Sequence, residues 1–410
     1  MSATIRSINR PENSFKINYV TLRTEKGTRY NIQPIMQGIT IYEDIFDGGI
    51  TGSIVIRDQN DIIGSAPIIG REFLDISFSA RDNNGDFLPP YEKTFAISEI
   101  AAHMKDMQSG VHVAVLEFGP QSYIIDSTIR ITRSFTAAPH EIVSSVSSVL
   151  GIENVDIEQT LHPRKYVFNN ERPFSVIDTL SGESQSSINN STDFVFFENA
   201  YGWHYKSLYT LMMQKPAHDI TNYIQHQGNT YDRLNLVYHH VDAKFDASTM
   251  RKKFLGNEIH THDPITKRII SHSSDYKSHF AEFPTMNGIS FFVEDLTSDS
   301  VDGYITFDIN DGPYASHSDS DKNQRLQRDI CRDLLYGYVA TGKMPGNNDI
   351  TAGIVVDLKM LATNLADRED IFKAGKHLIT KVKHELTLTE WWTTIQIQKD
   401  SYLPTQKKLT

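Results

Sequence analysis

The sequence predicts a mainly β chain of the α+β class, with an antiparallel barrel-like lobe at each end, an α+β lobe between them and an irregular inserted segment. Three observations carry this. Apolar residues recur every second position near both ends, the period shifts to three or four in the interior, and 410 residues at 39% hydrophobic exceed what one ordinary core holds.

The first lobe is read over residues 1–118. Leu74, Ile76 and Phe78 alternate with Asp75 and Ser77, Phe95 and Ile97 alternate with Ala96 and Ser98, and Val111, Val113 and Val115 continue the pattern. Ile39 to Arg57 reads as a hairpin because Asp47-Gly48-Gly49 supplies the positive φ of a tight connection, and Asp82-Asn83-Asn84-Gly85 reads as a further turn. Closing such strands into a barrel or sandwich hides their edges.

The middle lobe, 119–212, follows Gly119-Pro120. Pro139 opens a helix whose stripe is Ile142, Val146, Val149 and Leu150, with Gly151 as its stop; Pro173 opens a second, with Phe174, Ile177 and Leu180 on one side and an end near Gly182. Two short strands, Phe194 to Phe197 and Trp203 to Tyr205, flank Tyr201-Gly202.

From Pro216 to Ser320 the chain is rich in His, Asn, Asp and Ser, with strand-like pieces at Leu234 to Tyr238 and Ile289 to Val293. A helix is expected over about 321–341, because Leu326, Ile330, Leu334 and Tyr338 recur every four residues opposite Arg325, Arg328, Asp329 and Arg332, and Gly342, Pro345 and Gly346 stop it. Alternation returns at Ile354, Val356 and Leu358, at His377 to Val382 and at Leu386 to Ile397, and the last eight residues are expected to fray. The second barrel is therefore assigned to 213–240 and 346–402, with 241–345 as an insertion.

Composition excludes several functions. Forty Lys plus Arg against 51 Asp plus Glu, a net charge of −11, argues against a broad nucleic-acid footprint and against sequence-specific DNA binding. No run approaches the roughly 20 apolar residues of a membrane helix, and Met1 to Arg10 lacks a signal-peptide core, so no membrane insertion and synthesis in a cytoplasm are expected. The single cysteine, Cys331, excludes an intramolecular disulfide and reads as a small residue packed on a helix.

The search for chemistry gives no complete site. His260 and His262 share a strand face but lack the spacing of a zinc site, and His239-His240 point to opposite faces. Ser181-Gly182-Glu183-Ser184 is not a nucleophile elbow, and no phosphate-cradling glycine loop occurs. No catalytic, cofactor-binding or metal residue is assigned, and no cofactor is expected. Glu43, Asp44 and Asp47, in the hairpin, are the carboxylates a glycan- or peptidoglycan-cleaving enzyme would use; their plainer reading is a solvated strand rim. Trp391-Trp392 places one ring in a core and the other on the opposite face, against a neighbouring lobe or another subunit. These five residues are the interface candidates. The aromatic content also suits a carbohydrate-binding module.

Certain strings resemble the baseplate hub proteins of T4-like contractile phages, and more loosely the hub part of type VI secretion spike proteins. They are Pro345-Gly346-Asn347-Asn348-Asp349-Ile350-Thr351-Ala352-Gly353 running into Ile354-Val355-Val356, Ala374 to His384, Trp392 to Ile397, the hairpin of Ile39 to Asp58, and Pro173 to Leu180 followed by Asp193 to Glu198. Phe245 to Gly256 and Asp263 to Tyr276 fit that family's inserted segment. The resemblance implies a non-catalytic homotrimer in which each subunit offers two tube-type barrels, joining a sixfold tail tube to a threefold central spike. The middle lobe would dock the spike, and DNA would pass a central channel without specific binding. Tail tube, other baseplate proteins and a tape measure protein are the further partners implied, and the virion baseplate is the location. The spike is expected to be a separate chain, and no lysozyme-like module is seen.

Overall fold

In the computed structural model the described residues are 15–58, 68–81, 86–105, 112–222, 234–242, 257–263, 267–274, 283–290, 305–308, 328, 331–362 and 365–404. The first lobe contains β1 (Phe15–Arg23), β2 (Arg29–Asn31), β3 (Met36–Asp44), β4 (Thr51–Asp58), β5 (Phe73–Ala80), β6 (Tyr91–Lys105) and β7 (His112–Gly119). Next come α1 (Gln121–Thr128), β8 (Ile131–Ala137), α2 (Pro139–Val149), β9 (Asp156–Ile157), β10 (Arg164–Glu171), α3 (Pro173–Glu183), β11 (Phe194–Asn199), β12 (Gly202–Ser207) and α4 (Leu208–Met212). The remaining strands are β13 (His218–Thr221), β14 (Tyr238–Val241), β15 (Asn257–Asp263), β16 (Arg268–Ser274), β17 (Ile289–Ser290), β18 (Ile305–Asp308), β19 (Tyr338–Pro345), β20 (Val355–Lys359), β21 (Leu361–Ala362), β22 (Leu365–Glu369), β23 (Gly375–Leu386), β24 (Trp391–Lys399) and β25 (Ser401–Tyr402).

The two ends of the chain meet in one sheet. Among the described residues, 13 strands form a curled sheet whose path is β14-β19-β24-β23-β3-β4-β7-β6-β5-β1-β2, with β20 beside β23 and β13 parallel to β20. The join is antiparallel pairing of β3 with β23, from Asp44 opposite Lys381 to Ile39 opposite Leu386. The hairpins β3–β4 and β23–β24 therefore lie edge to edge, although more than 300 residues separate them in sequence.

Among the described residues three apolar clusters support this arrangement. The first, with Val20, Leu74, Ile76, Phe78, Phe95 and Phe118, lies under β1 to β7. The second, with Tyr338, Val356, Leu378, Ile379, Val382 and Ile395, lies under the C-terminal strands and also takes Ile45, Phe197, Leu208 and Met212. The third packs α2 and α3 on β8, β10, β11 and β12. Pro139 and Pro173 start their helices where no backbone N–H is needed, and Gly151, at φ +71°, follows α2 in the left-handed conformation that glycine adopts without steric cost.

Several expectations change. In β7 the inward residues are Ala114, Leu116 and Phe118, so Val113 and Val115 lie half-buried on the other face; a one-residue error of phase exchanges every side chain between faces. Val149 is exposed at the end of α2. The helix expected to reach 341 has its last helical residue at 336, and Tyr338 begins a strand whose alternate residues Tyr338, Ala340 and Met344 are buried. Period two thus overrides the every-fourth pattern, aided by β-branched Val339 and Thr341. Residues 338–345, placed in the insertion from the sequence, pair with β24 in the main sheet, and Gly342 and Pro345 are strand residues. Leu403, expected to fray, is buried. The turn at 82–85, Val111, the segment from Phe245 to Gly256, Val293 and the helix positions at 325, 326, 329 and 330 lie outside the described residues.

Candidate functional site

The string from Pro345 to Gly353 is a clasp that touches the first two clusters and is hydrogen-bonded to the middle lobe. Gly346 lies flat on the Trp391 ring: a Cβ there would come within 2.0 Å of Trp391 Cδ2, so only glycine fits. The next residues reach into the first lobe. Asn348 Oδ1 accepts from Ala80 N at 3.1 Å, and its Nδ2 donates to Pro89 O at 2.6 Å. Asn347 turns the chain by accepting from Asp349 N at 3.0 Å. Asn199 Nδ2 of β11 donates to Ala352 O at 2.9 Å, and Ala200 N donates to Thr351 Oγ1 at 3.1 Å, which ties in the middle lobe. Gly353, at φ +88°, leaves room for the Phe197 ring, which a Cβ would approach to 2.7 Å, and its N–H bonds Ile379 O in β23.

Glu43 stands at the centre of the clasp. Its Oε2 accepts from Ala352 N at 2.9 Å and from Thr351 Oγ1, while Oε1 is buried without a hydrogen-bond partner. Nearby, Lys93 Nζ pairs with Glu198 Oε1 at 2.8 Å, and Glu198 Oε2 accepts from Ile50 N at 3.2 Å. Burial pushes the Glu43 carboxyl up to about 7; the Thr351 and Ala352 donors and Lys93 pull the other way, and Glu198 adds to the rise. A rim residue was expected from the sequence. The opposite holds because β3 turns Glu43 to the same side as Ile39 and Ile41, under the clasp. A carboxylate sealed in this way has no access to a glycan.

The other candidates divide between the two faces of the sheet. Trp391 is wholly buried and belongs to the first lobe's cluster, 4.9 Å from Phe78 edge to face. Trp392 is half-buried on the opposite face under Lys343 Nζ, 4.9 Å from its ring, so part of its cover comes from the same chain. Asp44 lies on that face too and pairs with Lys381 Nζ at 2.7 Å across the β3–β23 join. Asp47 is exposed at the hairpin tip, and its carbonyl accepts from Tyr123 OH at 2.8 Å. Thr40, Tyr42, Thr394 and Gln396 complete a polar surface spanning both hairpins, with Lys383 paired to Glu385 at 2.6 Å. Lys343 shares Glu385 with Lys383, so two carboxylates compensate most of the charge of three lysines.

Elsewhere the polar groups serve the fold. Ser181 Oγ donates to Ile177 O and Ser184 Oγ bonds Tyr205 OH at 2.6 Å, consistent with a polar helix end. His239 is half-buried and His240 exposed and ion-paired with Asp242. His260 Nδ1 bonds Ser271 Oγ at 2.7 Å; the His262 side chain lies outside the described residues. Among the described residues no three His, Cys, Asp or Glu side chains group as metal ligands, and no helix is long and apolar enough to cross a membrane. Asn348 of the clasp, and Lys93, Glu198 and Asn199 around it, are not among the residues that the sequence marks as a site. Only the glycine- and asparagine-rich string Pro345 to Gly353 signalled the place.

No family model matches the chain. It is 20% identical over 382 residues to the "Probable baseplate hub protein gp334" of Vibrio phage KVP40, covering 88% of this chain and 89% of that protein. Its fold is that of the tail protein from Neisseria meningitidis MC58, with TM-score 0.58, 11% identity and coverage of 94% and 97% of the two chains. It is also that of the 43 kDa tail protein of prophage MuSo2 from Shewanella oneidensis, with TM-score 0.57, 10% identity and coverage of 92% and 97%. The Francisella PdpA-VgrG complex matches all of this chain over 56% of its own, with TM-score 0.52 and 10% identity. The resemblance read in the C-terminal strings therefore holds: the first three of these relatives are a baseplate hub protein and two tail proteins.

Proposed function

We propose that this chain, a structural protein of the baseplate hub and tail type, is one subunit of a homotrimeric adaptor that joins a sixfold tail tube to a threefold central spike around a channel for DNA. The observation that carries this reading is the pairing of β3 with β23, which sets two long hairpins side by side over two separate apolar clusters. Each chain then offers two tube-type barrels of comparable build. Three chains present six such units on one face and three middle lobes, 119–212, on the other, which is the change of symmetry required.

The surface shared by the two hairpins suits a channel wall. It is polar, and much of its positive charge is compensated, Lys381 by Asp44 and Lys343 with Lys383 by Glu385, so a polyanion passing along it meets little net positive charge and gains little affinity. Asp44 and Trp392 would lie on that wall or at a subunit contact, and Asp47 at the edge of the ring. The spike would dock on the middle lobe, with tube, further baseplate proteins and a tape measure protein as the other partners. The virion baseplate is the location, after synthesis in the host cytoplasm.

Light scattering of the purified protein is expected to give about three times 46.6 kDa. A stable monomer at high concentration, with and without a spike protein, would overturn the adaptor reading.

A further inference from the structure

Glu43 reaches the junction of the three lobes from β3. The groups that act on it come from the elements packed there: Tyr91 and Lys93 from β6, Glu198 from β11, Tyr201 from the β11–β12 turn, and Thr351 and Ala352 from the clasp, whose Asp349 acts on Tyr201. Both of its hydrogen-bond donors fall on Oε2. Neither Oε1 nor the buried Tyr91 hydroxyl has a hydrogen-bond partner. Lys93, the cation that acts on Glu43, is committed to Glu198 at 2.8 Å.

A carboxylate in this position would leave a charged oxygen buried with no donor, and would place two carboxylates beside one ammonium. A neutral carboxylic acid avoids both penalties, since the unpartnered oxygen then carries no charge and Lys93 with Glu198 closes a balanced pair.

From this geometry we infer that Glu43 is a proton-operated latch: protonated, it holds the 349–353 loop and thereby the three lobes together, and loss of its proton loosens that loop. The sign of the pH dependence follows. The folded carboxyl titrates at about 7 against an ordinary value of 4.5, so its stabilisation is fully present below 4.5 and is lost as pH rises through 7. Asp400, raised to about 6 by burial, acts in the same direction. His384, lowered to about 3 by burial, His377 and Lys399 act in the opposite one. The raw pH profile of the protein therefore mixes signs, and the latch is read as a difference between wild type and a variant with this one group neutral.

The experiment is hydrogen–deuterium exchange of the intact protein from pH 5 to 9, corrected for intrinsic rates, on peptides covering residues 349–353, for wild type and Glu43→Gln. Opening of the wild-type loop should increase relative to the variant by on the order of a hundredfold across this range, with a midpoint near 7. A uniform cost of the glutamine shifts the curves without changing their divergence. Glu198→Gln provides the second measurement, because it releases Lys93 to pair with Glu43 and should move the midpoint below 7. A wild-type-to-variant ratio that stays constant from pH 5 to 9, or a midpoint unmoved by Glu198→Gln, would sink the latch. Exchange is read segment by segment whatever the oligomeric state, so these outcomes are independent of the trimer reading.

Discussion

Replacing Trp391 with alanine is expected to destabilise the protein by about 3–5 kcal/mol, the range for removing a large buried aromatic side chain. The ring is fully buried, touches Phe78 and Phe15 edge to face at 4.9 and 5.9 Å, and lies under Gly346, whose missing side chain leaves no slack. The consequence is regional as well as large. Trp391 is covalently part of β24 but packs in the first lobe's cluster, so its removal opens a cavity at the join of the two ends of the chain. Urea unfolding should show a lowered midpoint, and hydrogen exchange should show lost protection in β3, β4 and β5 together with β23 and β24. Loss confined to the C-terminal strands would mean that the ring does not couple the lobes.

The second large effect is expected at Lys399, where methionine should stabilise the protein near neutral pH. The side chain is buried, its ammonium donates to Ala374 O at 2.8 Å and sits 4.7 Å from the Tyr338 ring, and burial lowers its pKa to about 7. These contacts only partly replace water around a cation. The stabilisation associated with the neutral amine is complete above the ordinary value of 10.5 and is lost as pH falls toward 7, a difference on the order of 4 kcal/mol. Methionine has a similar shape and no charge to desolvate, but leaves the Ala374 carbonyl without this donor, at a cost of about 1 kcal/mol. Lys399→Met should therefore be more stable by about 2–3 kcal/mol at pH 7, with the advantage shrinking toward pH 10. Denaturant unfolding at the two pH values checks this; an advantage independent of pH would contradict it.

The parts legible in the sequence are those in which one local rule dominates. The Asp47-Gly48-Gly49 turn, the prolines that open α2 and α3, and Gly151 with its positive φ announce themselves through backbone geometry, and the structure has each of them. At Tyr338 the local pattern misleads because Leu334 and Tyr338 also satisfy a helical spacing, and pairing of β19 with β24, about 50 to 60 residues on, decides the matter. Glu43 is illegible for a deeper reason. An acid in a hairpin is ordinarily solvated, and nothing near position 43 announces a loop 300 residues later that supplies its donors. The string Pro345 to Gly353 was recognisable by resemblance, but its role was not: Gly346 is there for Trp391, Asn348 for the first lobe, and Gly353 for Phe197. These are long-range contacts that no local period encodes. In contrast, the opposite faces of Trp391 and Trp392 follow from strand alternation alone, and the structure places one ring in a core and the other beneath Lys343.

The central claim is that each chain contributes two hairpin-bearing lobes to a ring of three. Electron-microscope images of the purified protein, averaged without imposed symmetry, test it most directly. The account predicts a ring with a central hole, three outer lobes and six similar densities around the hole; isolated single-chain particles, or a ring of any other subunit number, would contradict it.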